Sequence, residues 1–306
     1  MKVAFAGTPP FAATILRGLL ASDHEVGLVI SQPDRQRGRG RKTTPTSVSA
    51  LARSEDLALA QPARIGEVAD EISAHDALVI AAFGQILRPD TLYAAPLGAW
   101  NVHASLLPRY RGAAPIERAI MAGGRETGVT IMRMDEGLDT GPTALQHPTD
   151  IPPDMTGGEL TDLLAQLGAN AIVEALDMLD QRSLTVSEQD RLKATYAPKL
   201  LDEDKAVDWG EEVRGVHDLV RALAPGIGAR AFHAGFDGPV KIWRTGVEDE
   251  STPAGTPGAI SASDGRILVQ CGVGTLEVLE LQAPGSRRLS AREFLLGRSL
   301  EGAFAG

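Results

Sequence analysis

A run of six consecutive apolar residues, 78–83, is the feature that most narrows the folds open to this chain. A strand with one face in water alternates apolar and polar residues, so an unbroken run indicates a strand buried on both faces of a parallel sheet. We predict further strands at 2–7, 25–30, 99–104, 129–134 and 144–150, and helices ending at 20, 121 and 179. This alternation predicts an α/β fold with a Rossmann-like, doubly wound, mostly parallel sheet, in which Thr8 caps the first helix.

The pattern changes after residue 184. Residues 185–205 are polar and mixed, which is typical of an extended linker. Beyond them, one helical stretch at 213–223 precedes five short strand patterns separated by glycine and proline turns. These predicted strands are 229–236, 239–243, 258–261, 267–270 and 275–281. Such strands favour a small antiparallel β-barrel of the oligonucleotide-binding type. We therefore predict two domains, 1–184 and 206–306, joined by the linker.

The composition argues against a disulfide-linked, a metal-binding or a membrane-spanning protein. With 306 residues, of which 43% are hydrophobic and 23% charged, the chain is made like a globular protein of two domains. One cysteine, Cys271, and six histidines without metal-ligand spacing predict neither a disulfide nor a metal site. The amino terminus resembles a strand rather than a signal peptide, and no apolar run reaches the ~18 residues of a membrane helix. We expect a cytoplasmic monomer that has no contact with membranes.

One cluster of positive charge stands out on a chain whose formal net charge is −10. Residues 35–42 contain two glycines and five cations, which are Arg35, Arg37, Arg39, Arg41 and Lys42. A run of charge is usually a solvated face of a protein. On an acidic chain, however, arginines that bind phosphate bidentately and glycines that permit close approach favour a mobile arm that contacts nucleic acid.

Asn101 and His103 form the first candidate for chemistry. They are two residues apart on a predicted strand, so they point to the same face, near the end where doubly wound folds bind ligands. An amide and an imidazole together suit acyl-type transfer, since one stabilises an oxyanion and the other carries protons. An isolated pair of this kind is more often a hydrogen-bonded core histidine beside a turn-capping asparagine.

A second loop, 133–142, makes the chemical interpretation stronger. It follows a strand pattern and contains three carboxylates and two glycines. A carboxylate beside an imidazole raises its basicity and fixes its tautomer. By spacing alone, Asp135, Glu136 and Asp139 all remain candidates for that position.

The motifs HASLLP at 103–108, RG at 111–112 and D-x-G-x-D-x-G at 135–141 resemble the signature of the folate-dependent formyltransferases. This resemblance implies that Asn101, His103 and Asp139 are catalytic. It implies 10-formyltetrahydrofolate as the formyl donor and no metal. The residues it implies as walls of the folate pocket are Phe83, Gly84, Ile86, Leu87, Ser105, Leu106, Leu107 and Pro108.

The whole chain is similar to the members of that superfamily that formylate methionine on initiator tRNA. The similar segments are AGTP at 6–9, QPDR at 32–35, GRG at 38–40 and RGAAPI at 111–116. Smaller relatives lack the basic insertion, so the resemblance implies methionyl initiator tRNA and folate as partners, with Arg35, Arg37, Arg39, Arg41 and Lys42 contacting the tRNA. The alternatives are a sugar-nucleotide formyltransferase with the same site and a non-catalytic RNA-binding protein.

Overall fold

The computed structural model describes residues 1–37, 42–253 and 255–305. The chain divides into two compact units. The first consists of Met1–Pro115, Glu126–Asp150 and Thr161–Ala197, and the second consists of Ile116–Arg125, Ile151–Leu160 and Pro198–Gly306. Among the described helices, none combines the length and the apolar character that crossing a membrane requires.

The first unit is built on a seven-stranded sheet with the order β10-β9-β7-β6-β1-β2-β5. The strands from β7 to β5 are parallel, and β9 and β10 are antiparallel to their neighbours. Two further ladders pair β3 with β4 and β8 with β11. The strands are β1 Lys2–Gly7, β2 Glu25–Ile30, β3 Arg35–Arg37, β4 Lys42–Thr44, β5 Leu59–Ala60, β6 Ala77–Ala81, β7 Ala99–His103, β8 Arg111–Gly112, β9 Glu126–Arg133, β10 Thr143–Asp150 and β11 Tyr196–Ala197. The prediction of a mostly parallel sheet is confirmed.

Helices cover both faces of this sheet. On one face Ala6 and Ile80 pack in a core with Ile72 of α3 and Leu92 of α4. On the other face α1 and α6 approach so closely that a Cβ atom at Gly18 would lie 2.7 Å from the Cβ of Ala169. The helices of the first unit are α1 Pro10–Leu20, α2 Ser47–Ser54, α3 Ala69–Ser73, α4 Pro89–Leu92 and most of α6 Gly157–Asp180. Between them in the chain, α5 Pro115–Met121 belongs almost entirely to the second unit.

The predicted capping role of Thr8 is wrong. Pro9 is the N-cap residue of α1, and its side chain makes no capping hydrogen bond. Pro10 has no N–H to satisfy and its φ suits the first turn, so the helix begins without a side-chain cap. The Thr8 hydroxyl instead donates a 3.2 Å hydrogen bond to the carbonyl of Phe83, which ties the end of β1 to the end of β6.

The second unit is a nearly closed antiparallel barrel with the order β14-β15-β16-β13-β12-β18, and β17 pairs with β16. An Ala259–Ala303 bridge joins the two end strands. The hydrophobic core includes Trp209, whose ring stacks on Phe304 with centroids 5.4 Å apart. The elements are α7 Val213–Leu223, β12 Ala229–His233, β13 Val240–Pro253, β14 Ile260–Ser263, β15 Arg266–Gln270, β16 Val273–Gln282, β17 Leu289–Ser290, α8 Ala291–Gly297 and β18 Phe304–Ala305. The predicted barrel is confirmed; β13 and β16 are longer than the strands predicted at 239–243 and 275–281, whereas β12 is shorter than the strand predicted at 229–236.

Candidate active site

The site lies at β7, next to β6. Asn101 is the register partner of Ile80 in β6, so the two strands end at the same edge of the sheet. The next strand, β9, runs antiparallel, with Arg133 opposite Trp100 near the start of β7. The loop after β9 therefore begins beside the amino end of β7, whereas His103 lies at the carboxyl end. The loop runs back along β7 and brings Asp139 beside His103.

His103 is buried, with both ring nitrogens directed at protein oxygens. Its Nε2 lies 3.0 Å from the carbonyl oxygen of Tyr110. A carbonyl only accepts hydrogen bonds, so Nε2 carries the proton of the neutral ring and Nδ1 keeps a free lone pair. Nδ1 lies 3.8 Å from Oδ2 of Asp139. The Tyr110 carbonyl thus fixes the tautomer and leaves Nδ1 facing a carboxylate.

Of the three carboxylates in the acidic loop, Asp139 lies next to the imidazole. Its Oδ2 accepts a 2.8 Å hydrogen bond from the N–H of Gly112, and its backbone has a left-handed φ of 51°. Asp135 serves the loop itself, since its Oδ1 accepts from the Gly137 N–H at 3.0 Å and from the Thr140 hydroxyl at 2.7 Å. Glu136 is exposed.

Asn101 is 9% exposed at the same strand end. Within the described part of the chain its side-chain amide has no hydrogen-bond partner. The polar atoms of this amide are not fully buried, so an amide without an internal partner here is available to a ligand. The side chain offers two N–H donors and one carbonyl acceptor.

The residues predicted for one wall of a folate pocket divide into two groups. The side chains of Phe83 and Leu87 are buried in the core, and only the Phe83 carbonyl is turned to other partners, accepting from the Gln32 amide at 3.1 Å. Gly84, with a φ of +79°, and Ile86, which is 91% exposed, face outward. Of the residues predicted for this wall, only the main chain at 83–84 and the aliphatic side chain of Ile86 are therefore open to a ligand.

The residues predicted for the opposite wall form a rigid turn. The Ser105 hydroxyl is buried and donates to the Arg109 carbonyl at 2.6 Å. The Thr130 hydroxyl donates to the Ser105 carbonyl at 2.7 Å and accepts from the Leu107 N–H at 3.1 Å. The Leu107 side chain is buried, whereas Leu106 and Pro108 are partly exposed. Hydrogen bonds from β9 therefore hold the turn in one shape.

A cleft of about 330 Å³ opens at the carboxyl ends of β1, β2 and β6. The cleft is lined by Phe83 and Gly84, which we predict to bind folate, and by Arg35, which we predict to contact tRNA. The other predicted folate residues do not line this cleft. Its lining is Thr8, Pro9, Gln32, Pro33, Arg35, Thr44, Pro45, Thr46, Ala82, Phe83 and Gly84.

The residue that precedes the basic segment, Asp34, is held in place by hydrogen bonds. Burial of this carboxyl by itself raises its pKa, but hydrogen bonds from Gln61, Ser49, Arg53 and the Thr46 N–H outweigh burial and lower the pKa from 3.8 to about 2. These partners hold the chain on both sides of the basic segment.

Among the cations of that segment, Arg35 is exposed and its guanidinium lies 3.4 Å from the Gln32 side-chain oxygen. Arg39 and Arg41 lie outside the described residues, as do the side chains of Arg37 and Lys42.

Sequence reasoning missed Gln189 and Arg111 as partners in the site. Gln189 lies in the stretch predicted as a linker, which the structure shows crossing β10 through paired hydrogen bonds between Thr143 and Ser187. Its amide donates to the carbonyls of Asp139 and Gly141 and accepts from Arg111. The one signal in the sequence was a glutamine within the mixed polar stretch after the last helix of the first domain. It does not single out Gln189, because glutamines in such stretches are usually solvated.

Residues 1–37, 42–253 and 255–305 contain no group of three or more histidine, cysteine, aspartate or glutamate side chains placed to hold a metal ion.

Comparisons with known proteins agree with the motifs. The pattern of the family described as formyl transferase matches residues 1–176, and that of the formyl transferase C-terminal domain matches residues 199–299. A protein of Rubrobacter xylanophilus named methionyl-tRNA formyltransferase is 64% identical over 99% of both chains. One of the same name from Nitrosospira multiformis is 45% identical over 98% of this chain and 97% of its own.

A solved structure with the same fold is the N-formyltransferase of Helicobacter canadensis in complex with folinic acid and dTDP-3-aminofucose. It covers 94% of this chain and 100% of its own with a TM-score of 0.68, at 16% identity. The family patterns and the full-length relatives confirm the resemblance seen in the motifs. The chain belongs to the formyl transferase family.

Proposed function

We propose that this chain transfers the formyl group of 10-formyltetrahydrofolate to the α-amine of methionine esterified to initiator tRNA, as a cytoplasmic monomer. The observation that carries this proposal is the grouping of the free Asn101 amide with the His103–Asp139 pair at one strand end. The name of the relative that is 64% identical over 99% of both chains supports the choice of acceptor.

In this proposal the amine attacks the formyl carbon, and the carbonyl oxygen becomes an oxyanion. The Asn101 N–H donors are free to stabilise that oxyanion. His103 Nδ1 moves the proton that the attacking amine loses towards the folate nitrogen that leaves. Asp139 keeps the imidazole oriented and stabilises the charged form of the imidazole. The Gly112 N–H in turn holds the Asp139 carboxylate in its orientation.

For the folate, we propose a slot between the loop Phe83, Gly84, Ile86, Leu87 and the turn Ser105, Leu106, Leu107, Pro108. Both segments leave the carboxyl ends of the parallel neighbours β6 and β7. Main-chain groups at Gly84 and apolar surface at Ile86 and Leu106 suit a flat ring system that needs few polar contacts.

For the tRNA, we propose that Arg35, Arg37, Arg39, Arg41 and Lys42 contact phosphates at the acceptor end. On a chain with a net charge of −10 such contacts have to be local. We also propose that residues 1–184 perform the chemistry, that 185–205 connect, and that 206–306 form a separate barrel domain.

The experiment is to incubate the protein with 10-formyltetrahydrofolate and either methionyl initiator tRNA or a nucleotide-linked amino sugar. We expect formylmethionine on the tRNA and no formylated sugar. Formylation of the sugar alone would establish the alternative acceptor. Binding of tRNA without formylation of either acceptor would establish a non-catalytic RNA-binding protein.

A further inference from the structure

Gln189 contacts both the loop that carries Asp139 and a buried arginine. Its Nε2 donates to the carbonyl oxygens of Asp139 at 2.9 Å and Gly141 at 2.7 Å. Its Oε1 accepts from Nε and from a terminal nitrogen of Arg111 at 3.1 and 2.7 Å. All hydrogen-bonding atoms of one amide are therefore engaged with residues that adjoin the proposed site.

Through Arg111, this contact reaches the short strand that holds the Asp139 carboxylate. The Arg111 side chain is 4% exposed, and its guanidinium donates two hydrogen bonds to the Gln189 side-chain oxygen. The N–H of the next residue, Gly112, donates to the Asp139 carboxylate. Gln189 thus joins the backbone of the Asp139 loop to the short strand that also holds the Asp139 side chain.

The backbone of the loop needs such support. Asp139 has a left-handed φ of 51°, a conformation that residues other than glycine adopt at a cost of about 1 kcal/mol or more. Hydrogen bonds to the carbonyls on both sides of Thr140 hold the chain in that shape, and the shape turns the carboxylate towards His103.

We infer that Gln189 is a positioning residue for formyl transfer, which acts by holding Asp139 in place beside His103. This inference rests on the proposed catalytic role of Asp139. Gln189 itself touches no reacting atom in this scheme. Its loss therefore lowers the rate of the chemical step and leaves the binding of both substrates unchanged.

The test compares Gln189→Glu and Gln189→Ala with the parent chain. Glutamate still accepts from Arg111 but loses both N–H donors, and alanine removes the amide without adding charge. For each we expect kcat to fall by roughly tenfold to a hundredfold while KM for folate and for tRNA changes by less than about twofold. Unchanged kcat in both variants, or a loss confined to KM, would overturn the inference.

Gln270 provides a matched control in the barrel. Its amide also donates to two carbonyl oxygens, those of Cys271 at 3.1 Å and Gly274 at 2.9 Å. Gln270→Glu therefore makes the same chemical change far along the chain, and we expect unchanged kcat. Equal losses of kcat in Gln270→Glu and Gln189→Glu would show a general effect on folding and would overturn the inference.

A double-mutant cycle identifies the residue through which Gln189 acts. In an Asp139→Ala background, we expect Gln189→Ala to change kcat by less than about twofold, because there is no carboxylate left to position. Full multiplication of the two effects would overturn the inference. A slow Asp139→Ala with a normal Gln189→Ala overturns this inference alone, whereas a normal rate in Asp139→Ala also overturns the proposed role of Asp139.

Discussion

The Nδ1 atom of His103 and the Oδ2 atom of Asp139 are 3.8 Å apart, which is an ion-pair distance and longer than a hydrogen bond. The carboxylate is thus placed to stabilise a proton on Nδ1 as it arrives. We predict that Asp139→Ala lowers kcat by on the order of a hundredfold or more and the free energy of unfolding by about 1 kcal/mol, because the Gly112 N–H loses its acceptor. Steady-state kinetics and urea unfolding measure the two effects, and near-normal kcat would contradict the assignment.

Asn101→Ala separates catalysis from stability more cleanly. Since the Asn101 amide has no hydrogen-bond partner in the described residues, its removal breaks no hydrogen bond among them. We predict a fall in kcat on the order of a hundredfold, as for removal of an oxyanion donor, at nearly unchanged stability. Reduced stability with a normal rate would indicate a structural asparagine.

Gly84→Leu tests the proposed folate wall. An added Cβ would meet only the Gln32 side chain, at 3.6 Å, so the new side chain projects outward, and we predict at least about tenfold weaker folate binding with unchanged tRNA binding. Gly285 is the matched control, because it has a similar φ of +70° and open space around its Cβ. Gly285→Leu reproduces the backbone strain, and we expect it to leave folate affinity unchanged. Equal weakening of both ligands in a titration of Gly84→Leu would indicate damage to the fold.

Asp34→Asn tests whether Asp34 anchors the basic segment, through the pH dependence of the free energy of unfolding. Because the pKa of Asp34 is lowered from 3.8 to about 2, its stabilising contribution is complete above the unfolded pKa and is lost as pH falls through the folded one. We predict that the variant is less stable by about 1–2 kcal/mol at pH 7. The difference should shrink between about pH 4 and pH 2. Urea unfolding at several pH values measures it, with the exposed Asp23→Asn as control, and a pH-independent difference would contradict the prediction.

Replacing Arg37, Arg39 and Arg41 by alanine tests the proposed binding of tRNA by the basic segment. Removing one arginine–phosphate interaction should lower the slope of log affinity against log salt by roughly 0.7 to 1, and formylation should fall while folate affinity stays unchanged. Arg39 lies between Gly38 and Gly40, so we expect Arg39→Ala alone to have a strong effect on formylation. The control replaces the exposed Arg17, Arg64 and Arg125, which changes net charge equally. Indistinguishable slopes in the two triple variants would mean that the segment is a solvated loop.

Local pattern was enough for the central strands. An unbroken apolar run at 78–83 identified β6 because burial on both faces removes every polar residue from a strand. The two-residue period of a strand likewise predicted that Asn101 and His103 share a face. The change of pattern towards the carboxyl end was sufficient for a small barrel, although the 14-residue β13 extends well beyond the strand predicted at 239–243.

By itself, then, the sequence determined the class of fold, the position of Asn101 and His103 on one strand face, and, through its motifs, the family. The resemblance already implied Asp139, whereas spacing left Asp135 and Glu136 open, and the tertiary structure shows that the Asp139 carboxylate is the one that meets His103. Only the tertiary structure decided that Leu87 is core while Ile86 is exposed, and that Gln189 donates hydrogen bonds to the Asp139 loop. The physical reason is that each of these depends on residues far apart in the chain. The antiparallel course of β9 and the crossing of 185–190 over β10 arise from pairing across the sheet, which no local periodicity records.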